Sequence, residues 1–261
     1  MLTLAAIEQL RALTAARGPL LIATDLDGTL APISEHASDA RVPASTLAVL
    51  ERLTSAARVA VITGRDLNTA RRMVPVGDVI IIGSHGLEPS FDSDLLPAID
   101  RVALSAALEG IEQRVITAVP SAFLHIERKA ISTAFHYRAA PELEAPLRRA
   151  LEPLPEGLRL RDGRMVLEVV PSTRSGKGLA LTALAKQFRS HSLLIMGDDA
   201  TDVEMFRAAL ALATDGVHLL LAGVSGGRET PPEIVELADM MLRSTEESRE
   251  ALETVARALG V

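Results

Sequence analysis

Four short apolar runs in this chain end abruptly at small or acidic residues. Leu20-Leu21-Ile22-Ala23 leads into Thr24-Asp25, and Val59-Ala60-Val61-Ile62 into Thr63-Gly64. Val79-Ile80-Ile81-Ile82 leads into Gly83-Ser84, and Leu193-Leu194-Ile195-Met196 into Gly197-Asp198. Runs without polar alternation predict strands buried on both faces, the habit of parallel sheets. Leu47, Leu50 and Leu53 recur at helical spacing within 43–57, where Pro43 suits a first turn. A short helix is predicted over 66–73, an amphipathic one over 1–13, and a flap-like loop over 31–41. Strand, helix, strand, helix, strand at this pace predicts a parallel sheet with helical crossovers.

From about Asp100 the rhythm changes. A helix over 101–117 precedes strands over 122–127 and 130–138, a helix over 141–151, and a hairpin of 158–161 with 165–170 around Asp162-Gly163. The parallel pattern then resumes with a helix over 178–188, a strand over 192–196, a helix over 201–209 and a short strand over 210–213. Helices near 232–241 and 246–259 close the chain. The expectation is an α/β core, 1–97 plus 172–261, interrupted by an α+β insert at 98–171, with hinges near Pro97 and Pro171.

Composition narrows the partners. Of 261 residues, 48% are apolar but only 2% aromatic, so bases would find few stacking platforms. A net charge of −7 also argues against nucleic acid. There is no Cys, which removes disulfides and thiolate metal sites. The N-terminal stretch carries Glu8 and Arg11 and does not read as a signal peptide. No uncharged run approaches membrane-spanning length. A soluble cytoplasmic protein is expected, with no membrane partner; oligomeric state is open, a monomer included.

The chemistry concentrates at the strand ends. In Asp25-Leu26-Asp27-Gly28-Thr29 two carboxylates one residue apart follow a buried strand. An Asp-Gly turn needs no first Asp. Two such carboxylates ionise together most readily around a cation, and Mg²⁺, a hard ion that prefers oxygen, suits them. Thr63 and Gly64 offer a hydroxyl and an unhindered N–H to an anion. Gly176-Lys177-Gly178 invites comparison with a nucleotide-binding G-x-x-x-x-G-K-[ST] loop. Pro171 stands at the first glycine position and Gly178 where Ser or Thr should follow, so that comparison fails. Asp198, Asp199 and Asp202 put three acids within five residues, more than one helix cap requires.

Taken in order, Asp25-x-Asp27-Gly-Thr, Thr63-Gly64-Arg65, Lys177 and Gly197-Asp198-Asp199 resemble the four motifs of the haloacid dehalogenase (HAD) superfamily. The resemblance implies a HAD-like Rossmannoid core, a parallel sheet flanked by helices, with an inserted α+β cap. It implies an Mg²⁺-dependent phosphatase in which Asp25 is the nucleophile and Asp27 the acid and base. Thr63 and Lys177 would hold the phosphoryl group. Asp25, the Asp27 carbonyl and Asp198 would hold the metal, with Asp199 and Asp202 behind them.

Within the insert, Glu127-Arg128-Lys129-Ala130-Ile131-Ser132 followed by His136-Tyr137-Arg138 is similar to the E-x-K-x-x-S…H-Y-R region of trehalose-6-phosphate phosphatases. Gly83-Ser84-His85-Gly86-Leu87-Glu88 resembles that family's G-N-H-G-x-E, and 197–202 its G-D-D-x-T-D. A sugar-phosphate substrate follows from the resemblance, with Gly64, Arg65, His85, Glu127, Lys129, His136, Arg138 and Glu168 expected around it. Ser84 stands in place of Asn, Val170 in place of Arg in E-[IV]-R-P, and Val203 in place of Glu. Sucrose-, glucosylglycerol- and mannosylglycerate-type phosphatases, a phosphomutase, and a non-catalytic sugar-phosphate binding module are the alternatives.

Overall fold

The structure, a computed structural model, describes residues 1–261 apart from Arg17, Glu35, Ala37, Pro97, Arg164, Asp215 and 227–229. The chain divides into two compact units, Met1–Leu96 with Ser175–Val261, and Pro97–Arg174. The expected hinge at Pro97 and parts of the expected flap at Glu35 and Ala37 lie outside the described residues.

The first unit opens with α1 (Leu4–Ala15), β1 (Leu20–Thr24), α2 (Ala44–Thr54), β2 (Arg58–Ile62), α3 (Leu67–Met73), β3 (Ile80–Gly83) and a two-residue β4 (Glu88–Pro89). The second unit holds α4 (Arg101–Ala118), β5 (His125–Arg128), β6 (Thr133–His136), α5 (Glu144–Leu151), β7 (Leu158–Gly163) and β8 (Val166–Pro171). The first unit resumes with α6 (Lys177–Gln187), β9 (Ser192–Gly197), α7 (Asp202–Ala213), β10 (His218–Val224), α8 (Pro232–Leu237), β11 (Met240–Leu242) and α9 (Thr245–Leu259).

Among the described residues the first unit has a seven-stranded sheet ordered β11-β10-β9-β1-β2-β3-β4, parallel except for β4. Alternate residues of β1 serve opposite cores. Ile22 joins Leu10, Leu50, Leu53, Leu252 and Val255 on one side, while Leu21 and Ala23 join Leu181, Leu184, Phe206 and Ile234 on the other. Both faces are covered, which is why the sequence shows unbroken apolar runs. The chain leaves β1 for β2 on one side and returns at β9 on the other. Such a switch point opens a crevice at the carboxyl ends of the strands. Asp25, Thr63 and Asp198 follow three adjacent strands there.

The second unit has, among the described residues, a four-stranded antiparallel sheet ordered β5-β6-β8-β7. One face buries Phe135, Leu167 and Val169. Glu112 of α4 ties this face down, accepting hydrogen bonds from Thr133 (2.7 Å) and Arg128 (2.5 Å).

Three expectations fail. Residues 210–213 are not a strand but the last turn of α7, and the strand is β10. Ala and Leu continue a helix at little cost, and Leu210 is 40% exposed on its outer side. The helix near 232–241 stops at Leu237, and Met240–Leu242 pairs with β10 as an edge strand. The hairpin does not turn at Asp162-Gly163. Gly163 pairs with Val166, so both residues belong to β7, and Met165 takes the left-handed conformation (φ 62°). β4 was not anticipated. Among the described residues no helix is long and apolar enough to cross a membrane.

Candidate active site

Lys177 begins α6, yet it is only 2% exposed. An ammonium there must be paired, because a lone buried charge costs several kcal/mol. Its Nζ lies 2.7 Å from Asp25 Oδ1 and 2.8 Å from Asp202 Oδ1, with Asp199 at 3.9 Å. Burial works against the charged Lys177, but Asp25, Asp202 and Asp199 outweigh it and hold its pKa above the ordinary lysine value.

Oxygens of Asp25, Asp198 and Asp202 all lie within 4.8 Å of one another, and all three residues are buried. Burial pushes Asp25 up to about 6 against the pull of Lys177, with Asp198 adding to the rise. Asp198 rises to about 7, chiefly through burial, and a hydrogen bond from Thr29 (2.9 Å) counters only part of it. Asp202 also moves up, through burial and the Asp25 charge. Three acids thus crowd one ammonium, which leaves a deficit of positive charge.

That deficit is what a divalent cation fills, and the donor set is all oxygen, as Mg²⁺ prefers. Asp202 is already committed: Oδ1 accepts from Lys177, and Oδ2 from the backbone N–H of Asp198 (2.9 Å) and Asp199 (3.1 Å). Asp202 therefore orders the loop after β9, while Asp25 and Asp198 keep lone pairs for a cation. Gly28 lets the β1 loop approach Asp198. It has φ 80°, and a Cβ there would lie 2.0 Å from Asp198 Oδ2. Asp199 caps its own turn, Oδ1 accepting from the N–H groups of Thr201 (2.8 Å) and Asp202 (3.1 Å).

Asp27 lies outside this cluster. Its carboxylate receives two hydrogen bonds from Arg65, each 2.6 Å long, so the arginine expected near substrate is engaged with Asp27. Thr63 is 1% exposed, and its Oγ1 accepts from the Arg65 N–H at 3.1 Å, which leaves its own O–H to donate. The His85 ring packs over Gly64, where a Cβ would come within 2.6 Å of it.

Glu127, His136 and Glu168 share one face of the second unit's sheet. Glu127 pairs with Ala134 and Ala134 with Glu168, while His136 lies across from His125. His136 Nε2 lies 3.0 Å from Glu127 Oε2. Glu168 accepts from Ser132 (2.7 Å), Lys129 (3.3 Å) and Arg161. Burial opposes its ionisation, but the hydrogen bonds of Arg161 and Ser132 and the charge of Lys129 hold its carboxyl below the usual value. Arg138 is exposed just beyond β6.

Sequence reasoning missed Thr29, Ser132 and Arg161. Thr29 and Ser132 each carried a faint signal, as the closing residues of Asp-Gly-Thr and of E-x-K-x-x-S. Arg161 could be found only from the register that sets it across from Glu168.

The protein-family description "Trehalose-phosphatase" matches residues 23–237. A probable trehalose-phosphate phosphatase of Sinorhizobium fredii is 34% identical over 192 residues, covering 70% of this chain and 71% of that one. A trehalose-phosphate phosphatase of Mycobacterium avium is 32% identical over 214 residues, and there the match spans about half (53%) of the relative's length. The crystal structure of Aspergillus fumigatus trehalose-6-phosphate phosphatase superposes with a TM-score of 0.68 over 97% of both chains at 21% identity, a likeness of fold. The family match begins at Ala23, inside β1, and runs through the β1, β2 and β9 loops and the whole second unit, so this chain belongs to the trehalose-phosphatase family.

Proposed function

We propose that this protein hydrolyses trehalose 6-phosphate to trehalose and inorganic phosphate through an aspartyl-phosphate on Asp25. The observation that carries the reading is the Asp25 carboxylate, buried at the end of β1 and held 2.7 Å from the Lys177 ammonium beside Asp198. A carboxylate so placed can meet phosphorus with its repulsion by the phosphate dianion offset by the neighbouring cation.

An Asp25 oxygen forms a bond to phosphorus as the bond from phosphorus to the sugar oxygen breaks. Asp27 gives its proton to the departing alkoxide. It then takes a proton from water, whose oxygen attacks phosphorus and releases phosphate and free Asp25. Lys177 and the Thr63 hydroxyl hold the phosphoryl oxygens throughout. Mg²⁺ bound by Asp25, Asp198 and the Asp27 carbonyl would neutralise charge on the nonbridging oxygens. Asp199 and Asp202 keep the β9 loop in place for it. Glu127, Lys129, His136, Arg138 and Glu168 are the proposed sugar-binding groups, while Gly64 and His85 are proposed substrate contacts in the first unit.

The test is phosphate release with Mg²⁺ from trehalose 6-phosphate, sucrose 6-phosphate, glucose 6-phosphate and glucosylglycerol phosphate. A strong preference for the first is expected, and Asp25→Asn lowers its turnover by at least about a thousandfold. Preference for another sugar keeps the chemistry and moves the substrate, a result that Val170 would make intelligible. Normal turnover by Asp25→Asn rejects the covalent route.

A further inference from the structure

Both carboxylate oxygens of Asp27 are occupied by one guanidinium. Arg65 Nε donates to Oδ2 and Nη2 to Oδ1, each at 2.6 Å, in a parallel two-point fork. The arginine is itself tied at the backbone. Its N–H donates to Thr63 Oγ1 at 3.1 Å, and its carbonyl accepts from the Ser84 N–H at 2.7 Å. Arg65 is therefore anchored between the ends of β2 and β3 and reaches across to the β1 loop. Its side chain is 17% exposed and that of Asp27 34%.

An acid and base must touch the leaving oxygen and then a water molecule. An oxygen that already accepts a guanidinium N–H does both less well, and opening one of the two bonds frees it fully. The other can persist, and the planar fork then sets the direction in which the freed oxygen points. We propose that Arg65 is a positioning residue that acts through Asp27. It retains one carboxylate oxygen and leaves the second to address the leaving group and then water. The inference rests on Asp27 being the acid and base of the proposed reaction. It differs from a direct grip of Arg65 on the phosphate, because its whole effect passes through one carboxylate.

Coupling separates the two roles. The full chain with Mg²⁺ is assayed as wild type, Arg65→Ala, Asp27→Asn and the double variant, on whichever sugar phosphate the wild type turns over. Asp27→Asn should lower kcat by roughly a hundred- to ten-thousandfold, and Arg65→Ala by roughly ten- to a hundredfold with little change in KM. The double variant should match Asp27→Asn alone, since nothing remains to be positioned. Losses that multiply overturn the proposal, as does an Arg65→Ala variant whose defect is a raised KM at unchanged kcat. If Arg65→Ala does not fold, Arg65→Lys keeps the charge, loses the fork and carries the same cycle. A wild type that releases no phosphate from any sugar phosphate rejects the function itself; an active wild type with multiplying losses rejects only the role of Arg65.

Discussion

One carboxylate, Asp198, makes a substitution answer differently with and without a divalent cation. In the metal-free protein its pKa stands near 7 because it is buried beside Asp202 and Asp199. An acid raised on folding costs stability as pH climbs from its unfolded value, 3.8, to its folded one, about 7. Without Mg²⁺ at pH 7.5, Asp198→Asn should therefore melt at a higher temperature than the wild type. Mg²⁺ should then raise the melting temperature of the wild type and not that of the variant, so the gap narrows, because the wild type gains the binding free energy, about 2.7 kcal/mol at a hundredfold excess over Kd. Thermal melts of both proteins, with a chelator and with Mg²⁺, decide it; a wild type whose melting ignores Mg²⁺ removes Asp198 from a metal site. At this scale the sequence was most informative about acids at strand ends. It did not show how the two acids divide: Asp25 faces Lys177 while Asp27 faces Arg65. Ser84, which departs from the family's Asn, has φ 50°, a region where Asn is better tolerated than Ser.

The start of α9 shows how an element is held by its ends. Ser244 is the N-cap and accepts from the Glu247 N–H at 3.4 Å, while Glu247 reaches back to the Arg243 N–H (2.9 Å) and side chain (Nε, 2.7 Å). This is a capping box displaced by one residue. The Arg243 hydrogen bond draws the Glu247 carboxyl down from 4.5 to about 2, although partial burial opposes it. A depressed acid contributes fully above its unfolded pKa and loses that contribution as pH falls toward the folded one. Glu247→Gln should therefore lower Tm by a constant amount from pH 7 to about 5, and the difference should shrink between pH 4.5 and 2. A gap that widens on acidification would contradict the pairing. Elements with both a periodic face and end signals, such as α2, α3 and α9, were legible in the sequence. Residues 210–213 were not, because Leu-Ala-Leu-Ala satisfies the period of a strand and the propensity of a helix equally, and packing of Met205, Phe206 and Ala209 chose the helix. β11 is three residues long, too short for any period to register, and exists by pairing with β10.

For the whole molecule, the residues proposed for chemistry and those proposed for selectivity come from different stretches of the chain. Asp25, Thr63, Lys177 and Asp198 all come from Met1–Leu96 and Ser175–Val261, whereas Glu127, Lys129, His136 and Glu168 all come from Pro97–Arg174. Each unit buries its own core, Leu108, Phe135, Leu147, Leu151 and Leu167 in the second, and Leu10, Ile22, Leu50 and Leu252 among others in the first. Replacing 97–174 by a short Gly/Ser linker should therefore leave a folded first unit whose melting temperature still rises with Mg²⁺. That unit should still cleave p-nitrophenyl phosphate, whose leaving group needs neither a sugar site nor full protonation. Its kcat/KM for the preferred sugar phosphate should fall by at least about a hundredfold if 97–174 holds the proposed sugar contacts, since remote binding energy is what raises kcat/KM for a large substrate. The ratio of the two kcat/KM values, measured before and after excision, is the quantity to compare. A ratio that does not change would leave the second unit without a part in selectivity. A folded excised unit that has lost p-nitrophenyl phosphate turnover as well would move part of the chemistry into 97–174.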